Sequence, residues 1–444
     1  MKSSKVLTAV TLAVILVLVT FSVVGYTAQK KFAGVTIKVA NQASQWADAF
    51  KTLVPRFTEE TGIKIEFDDI SFGVMYEKLK TTFIGEVAKY DMLWYDSMWT
   101  PEFAKRDWLV NLDLFLKDPD LTPMDFNYPG DFFGTYYSGR YPAGNRWGLP
   151  AGTWGIPWIA GFRPLYYRTD LVKEAGLVDP FGNAKPPDTL DELLEYAQKL
   201  NNPDKKVYGF TMPAKRPRIC YDWSGYLWTY GGEFFDRDFK PTFNSPAGVK
   251  ALEMYLALGK VAPPGVAAYH ITECWTSFMQ GRAALAWTWQ DLASVARKQS
   301  EIIGKFDCAP PPVYAGERHP LVGGIVASIP KQAKNPEAAF KFLTWALSSQ
   351  RAKEVTLKGA TVQRMSTWDD PEVEEMYPSG EGDIEDGCQL TGRTVPLIPE
   401  WATVDQIIAE ELSAAFAGQK GPKKALDDAA RKVEQFMREA GYYK

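Results

Sequence analysis

Val35-Thr-Ile-Lys-Val39 alternates apolar and polar side chains and reads as a strand. A polar stretch over residues 41–45 leads into a helix over about 46–61, which Gly62 stops. Ile63-Lys-Ile-Glu-Phe67 then alternates again as a second strand. Strand, helix and strand at this spacing form a βαβ unit. Such a unit implies a parallel sheet, because parallel neighbours can be joined only by a long crossover. Met92-Leu-Trp-Tyr95 is a short buried strand ending at Asp96. In open α/β sheets ligands bind beyond the carboxyl ends of the strands, and residues 41–45 and 96–99 occupy such ends.

Outward from this unit, residues 141–164 are punctuated by Pro and Gly, with Trp147, Trp154 and Trp158 interleaved. The aromatic residues require burial, so this stretch is a crossing between lobes and not a disordered linker. Thr189 and Glu192 form a capping box for a helix over 190–200. Ser245-Pro246 and Asn335-Pro336 each supply an N-cap and a first-turn proline, for helices reaching Leu258 and Ser348. Residues 283–287 and 324–329 read as buried strands, and 404–442 as two helices parted by 418–422. The fold class is α/β.

The 444 residues are 46% hydrophobic and 23% charged, too many for one compact core and too apolar for a disordered chain, which predicts two or three domains. Fifty basic against 54 acidic side chains (net charge −4) give no reason to expect a nucleic-acid partner. Two histidines, His270 and His319, leave little for a histidine-rich metal site or relay. The aromatic load is the outlying feature: 15 Trp, 21 Tyr and 25 Phe must fill either a bulky core or a surface that stacks flat ligands.

Lys2 and Lys5 precede an uncharged run over 6–24, which reads as a secretory signal over residues 1–28 or as an uncleaved N-terminal anchor. Either reading places the remainder in the periplasm or otherwise outside the cytoplasm. There Cys220, Cys274, Cys308 and Cys388 could form disulfides in any of three pairings, or stand as four buried thiols.

No P-loop, G-x-G-x-x-G, G-x-S-x-G or H-E-x-x-H occurs. Residues 381–386 are acidic, but Asp386 stands where a calcium loop begun at Glu381 needs Gly, and Gly392 where it needs Glu. They read as a solvated loop. An exported glycoside hydrolase is the enzymatic alternative, and it requires two carboxylates roughly 5–9.5 Å apart across a cleft. Nothing in the sequence marks such a pair. A sugar ring offers C–H faces and hydroxyl edges, so its site needs an apolar platform with a few placed polar groups. Trp94-Tyr-Asp-Ser-Met-Trp99, Tyr221-Asp-Trp-Ser-Gly-Tyr-Leu-Trp228 and Trp287-Thr-Trp-Gln-Asp291 each supply both.

These segments resemble the solute-binding proteins of ABC importers, in particular the carbohydrate-binding branch related to maltose-binding protein. The resemblance runs in order through Phe57-Thr-Glu-Glu-Thr-Gly-Ile63, Tyr90-Asp-Met-Leu-Trp-Tyr-Asp96, Trp108-Leu-Val-Asn-Leu112 and Trp147-Gly-Leu-Pro150. It continues through Phe278-Met-Gln-Gly-Arg-Ala-Ala284, Asn335-Pro-Glu-Ala-Ala-Phe340, Arg364 and Ile398-Pro-Glu-Trp401. The Gly-x-Pro of the first crossing occurs twice, at Gly148-Leu-Pro150 and Gly155-Ile-Pro157, and the choice between them stays open. The resemblance implies a periplasmic-binding-protein-like fold of two α/β lobes, a ligand cleft and three hinge crossings. Mapped onto this chain, the first lobe is 32–160 plus 288–330 and the second 161–287 plus 331–444. It further implies a monomer that binds a carbohydrate or polyol by hinge closure and passes it to a membrane permease, with no catalysis, cofactor or metal. The residues implied for the ligand are Gln42, Ser44, Tyr95, Asp96 and Trp99 from the first lobe and Trp158 and Trp289 at the crossings. Trp223, Trp228 and Arg364 follow from the second lobe, and Gly323 and Gly324 permit close backbone approach.

Overall fold

The computed structural model describes residues 31–377, 387, 388 and 390–443. The expected signal or anchor over 1–28 and the acidic stretch over 381–386 lie outside the described residues. Two large sheets are built from β1 (Thr36–Gln42), β2 (Lys64–Ile70), β3 (Met92–Asp96), β4 (Ile156–Gly161), β5 (Leu165–Arg168), β6 (Tyr208–Thr211), β7 (Ala283–Trp287), β8 (Phe306–Ala309) and β9 (Gly323–Ser328). The helices that position the site are α1 (Gln45–Lys51), α2 (Val54–Thr61), α3 (Phe72–Ile84), α4 (Arg218–Thr229), α5 (Pro246–Lys260), α6 (Pro336–Ala346), α7 (Trp401–Phe416) and α8 (Pro422–Glu439).

The first sheet has the order β2-β1-β3-β9-β4, with β1 parallel to β2 and β3, and β9 antiparallel to both of its neighbours. The second has the order β8-β5-β7-β6, with only β6 and β7 parallel. All five residues of β3 are buried, as a central strand covered on both faces requires. The helix expected over 46–61 is two helices. Pro55 lacks the N–H that would continue the ladder and its ring crowds the preceding turn, so α1 ends at Lys51 and α2 restarts. Gly62 then ends α2 in the left-handed conformation, at φ 77°.

The expected caps at Thr189 and Ser245 form: Thr189 Oγ1 accepts from Glu192 N (3.1 Å) and Ser245 Oγ from Gly248 N (3.3 Å). The Asn335 side chain makes no cap, and its backbone N–H donates instead to Asp91 Oδ1 at 2.7 Å.

The chain passes from the first sheet to the second through Phe162-Arg163-Pro164, beyond both Gly-x-Pro candidates, and returns between β8 and β9. Two pieces of the expected lobe division are corrected. β8 pairs antiparallel with β5, so the chain remains in the second lobe as far as Ala309 and does not leave it at residue 288. α6 buries Ala338, Phe340, Phe342 and Leu343, and the ring of Phe342 lies 6.2 Å from that of Trp94, so this helix covers the first sheet. The aromatic run after β7 looks like a crossing in sequence, and only the β5–β8 register shows that it is not. α7 and α8 pack on α4 and α5 in the second lobe.

Cys220, Cys274, Cys308 and Cys388 stand as buried thiols, not disulfides. Among the described residues no helix is long and apolar enough to cross a membrane.

Candidate functional site

β3 ends at Asp96, and the chain turns sharply through Ser97–Trp99 because Asp96 Oδ1 accepts from Met98 N at 3.2 Å. The turn lays Trp99 on the first residue of α3, Phe72, with ring centroids 5.6 Å and planes 22° apart. From the second lobe, the first residue of α4 reaches the same ring. The Arg218 guanidinium lies 4.5 Å from the Phe72 centroid and 5.0 Å from that of Tyr221. Gly323, at the start of β9, faces Tyr221 so closely that a Cβ would sit 2.9 Å from the phenol oxygen. The two lobes therefore meet over aromatic and charged groups beyond the carboxyl end of β3, the place where open α/β sheets bind ligands.

The crossing supplies a second cluster. Arg163 is buried, ion-paired to Asp222 of α4, and donates to the Trp287 carbonyl at 2.8 Å, while the Trp287 indole donates back to the Arg163 carbonyl at 2.8 Å. Its guanidinium lies 5.2 Å from the centroid of Trp289, whose ring is 6.0 Å from Tyr221. Gln363 is fully buried and donates to Tyr137 Oη (2.8 Å) and to the Gly323 carbonyl (3.0 Å).

Burial raises the carboxyls of Asp96 and Asp222, against the pull of Arg218 on the first and of Arg163 and Arg218 on the second. Burial also pushes Asp405 of α7 up to about 7, and the charge of Asp96 adds to the rise. Buried polar atoms are ordinarily hydrogen-bonded. Here Gln42 Oε1, Arg163 Nε, Arg218 Nε and Nη1, Asp222 Oδ2, Trp289 Nε1 and Gln363 Oε1 are buried with no partner among the described residues. A ligand rich in hydroxyls could satisfy donors and acceptors alike.

The structure brings Asp96, Trp99, Trp289 and Gly323 together at this cleft, and places Gln42 at the carboxyl end of β1 beside β3. Ser44 is spent as the cap of α1, accepting from Ala47 N at 3.3 Å. The other expected ligand residues lie elsewhere. Tyr95 points into the first lobe, its hydroxyl bonded to Ser328 Oγ at 3.0 Å, because adjacent residues of a strand face opposite ways. Trp158 is fully buried between Phe50 and Trp94, with centroids at 4.5 and 4.6 Å. Trp223 and Trp228 meet Phe234 edge-on inside the second lobe. Arg364 belongs to the first lobe, where it is held by Asp131 (2.7 Å) and the carbonyls of Leu347 (2.8 Å) and Asp125 (3.2 Å). A Cβ on Gly324 would meet the Ile159 carbonyl at 2.2 Å, so that glycine serves strand packing.

Phe72, Arg163, Arg218 and Gln363 are the cleft residues that sequence reasoning misses, and within the Tyr221–Trp228 segment it picks Trp223 and Trp228 where Tyr221 and Asp222 face the cleft. Every residue of α4 is buried, so no polar face shows which side meets the cleft. The available signal is Arg218 with Asp222 one turn later, the two charged residues of a helix otherwise made of uncharged, largely apolar and aromatic side chains.

Two α/β lobes, joined by crossings and meeting over polar and aromatic side chains from both, define a two-lobed ligand-binding protein. The chain belongs to the family of bacterial extracellular solute-binding proteins, whose model matches residues 43–353. It is 29% identical over 425 residues to the probable amino-acid ABC transporter periplasmic-binding protein y4oP of Sinorhizobium fredii, covering 94% of this chain and 92% of that protein. The mannitol-binding protein of Pseudomonas aeruginosa is 27% identical over 328 residues, 66% of this chain and 71% of that one. A crystal structure of an ABC transporter solute-binding protein from Agrobacterium radiobacter, in complex with ribitol, superposes with a TM-score of 0.81 at 28% identity. It covers 92% of this chain and all (100%) of that one. The family and these relatives are binding proteins.

Proposed function

We propose that this protein captures a small polyol or sugar outside the cytoplasmic membrane and delivers it to an ABC importer permease, without breaking a bond in it. The observation that carries this reading is the facing of Asp96 and Arg218 across the cleft. Both are buried and the charge of Arg218 acts on the Asp96 carboxyl, yet among the described residues they make no ion pair, and the rings of Phe72, Trp99, Tyr221 and Trp289 lie alongside. A hydroxyl both donates and accepts, so neighbouring hydroxyls can join the carboxylate to the guanidinium while carbon-bound hydrogens rest on the rings. The ligand then contacts both lobes at once, which stabilises the closed arrangement relative to an open one. One chain supplies every group named, so a monomer suffices.

The name of the Sinorhizobium relative supports a second reading, an amino acid whose ammonium and carboxylate meet Asp96 and Arg218. The ribitol-bound relative and the aromatic walls favour the polyol. A thermal-shift screen of polyols, sugars and amino acids separates the two. At 100 times its dissociation constant the true ligand should add about 2.7 kcal/mol of stability, and it should be recovered unchanged after long incubation. Stabilisation by an amino acid alone would overturn the polyol reading, and release of a monosaccharide would overturn binding without catalysis.

A further inference from the structure

Phe72, in the cleft described above, is contacted by ring and charged groups from both lobes. Its own lobe stacks Trp99 on it. The second lobe brings the Arg218 guanidinium to 4.5 Å and the His270 ring to 5.9 Å, tilted by 47°. Phe72 is only half-buried, opens α3 and packs at the edge of the core, where Trp99 stacks on it. Arg218 makes no ion pair among the described residues although its charge acts on Asp96, Asp222 and Asp405, its Nε and Nη1 lack hydrogen bonds there, and its guanidinium lies against the rings of Phe72 and Tyr221.

We propose that Phe72 is a latch: seated between Trp99 on one lobe and Arg218 and His270 on the other, it holds the lobes together before ligand arrives and lets go when His270 takes up a proton. The proposal rests on the two-lobed cleft and not on which solute fills it. A chain that is already partly closed leaves less of the conformational change for the ligand to drive, which tightens apparent affinity.

The acid response follows from the surroundings of His270, the N-cap of the helix Ile271–Met279. Burial first, and then the charges of Arg218 and Lys215, push His270 down to about 4, with Glu273 of its own helix opposing. The sign is therefore fixed. Opening withdraws the Phe72 ring and with it part of the burial that holds His270 down, while Arg218 and Lys215 stay beside it in the second lobe, so the open form takes up a proton more readily than the closed one and closure weakens as pH falls toward 4. Asp96 and Asp405 face Arg218 from β3 and α7, and their own protonation is the competing cause of an acid response.

The test is a distance measurement on the ligand-free full chain, with spin labels at E59C in the first lobe and D204C in the second, both exposed positions. The native thiols are buried and should not compete for label. At pH 7.5 the unmodified latch should give mainly the short inter-lobe distance. Phe72→Leu should lower the closed-to-open ratio about tenfold, the size expected for a desolvated cation–π contact, and Phe72→Trp should preserve it. Arg218→Gln reads the same contact from the other lobe, should Phe72→Leu fail to fold. Lowering the pH toward 4 should open the parent, whereas His270→Gln should stay closed. A wild-type distance distribution in both Phe72→Leu and Arg218→Gln would overturn the latch. Acid opening of His270→Gln equal to that of the parent would overturn its proton control and assign the response to the aspartates. Neither result depends on ligand, so failure here is distinguishable from failure of the polyol reading.

Discussion

Trp94 and Trp158 inside the first lobe, and Trp99 and Trp289 at the cleft, use the same side chain for opposite ends. The first pair stacks at 4.6 Å between Phe50 and Phe342 and touches other rings. The second pair lies against Phe72, Tyr221 and the Arg163 guanidinium. Indole N–H groups lack partners in both regions, at Trp94 and Trp158 as well as at Trp289. What sets the cleft apart is that its unpaired atoms include guanidinium nitrogens and a carboxylate oxygen, whose burial costs far more unless a ligand satisfies them. An aromatic residue becomes part of a binding surface through its charged neighbours, not through its own chemistry.

The contrast breaks most sharply at Trp158. Trp158→Ala should cost about 4 kcal/mol of stability, as expected for a large buried ring, while the folded fraction keeps its ligand affinity. Denaturant unfolding and titration of the same preparation check both halves. Arg364→Ala should behave alike on a smaller scale, at about 3 kcal/mol, because Asp131 is left buried without its ion pair. A large loss of affinity in a well-folded Arg364→Ala would return that residue to the cleft.

Asp291 sharpens the comparison at the hinge. It opens the helix Asp291–Gln299 in the second lobe, accepts from Thr361 Oγ1 at 3.0 Å, and is pushed up to about 7 by burial. The folded form therefore binds more protons than the unfolded one between 3.8 and about 7, so stability falls as pH rises through that range. Asp291→Asn should match the parent near pH 4 and exceed it by on the order of 2 kcal/mol above pH 7, read as thermal midpoints across the pH series. Trp289→Ala is the mirror of Trp158→Ala and the smallest effect. Ligand affinity should drop about tenfold, roughly 1.4 kcal/mol, with the ligand-free thermal midpoint nearly unchanged.

β1, β2 and β3 are legible in the sequence because alternation and a terminal Gly62 are local signals, and a ligand region at residue 96 follows from strand ends alone. The family resemblance supplied the two lobes, and the extracellular solute-binding family match bears it out. The lobe boundaries are not legible, since β8 joins β5 through a long-range register that no local pattern encodes. The site is only half legible for a related reason. Along β3, period two separates Trp94 from Tyr95 but does not say which face meets the cleft, and a helix buried all round, like α4, conceals whether Tyr221 or Trp223 looks outward.

Calorimetric titration of the ligand-free chain with ribitol, mannitol and an amino-acid panel, repeated on Asp96→Asn, tests the central claim most directly. The account predicts that a polyol or sugar binds one to one and that Asp96→Asn weakens it at least tenfold. Binding of an amino acid with no response to any polyol or sugar, or a polyol affinity indifferent to Asp96, would contradict it.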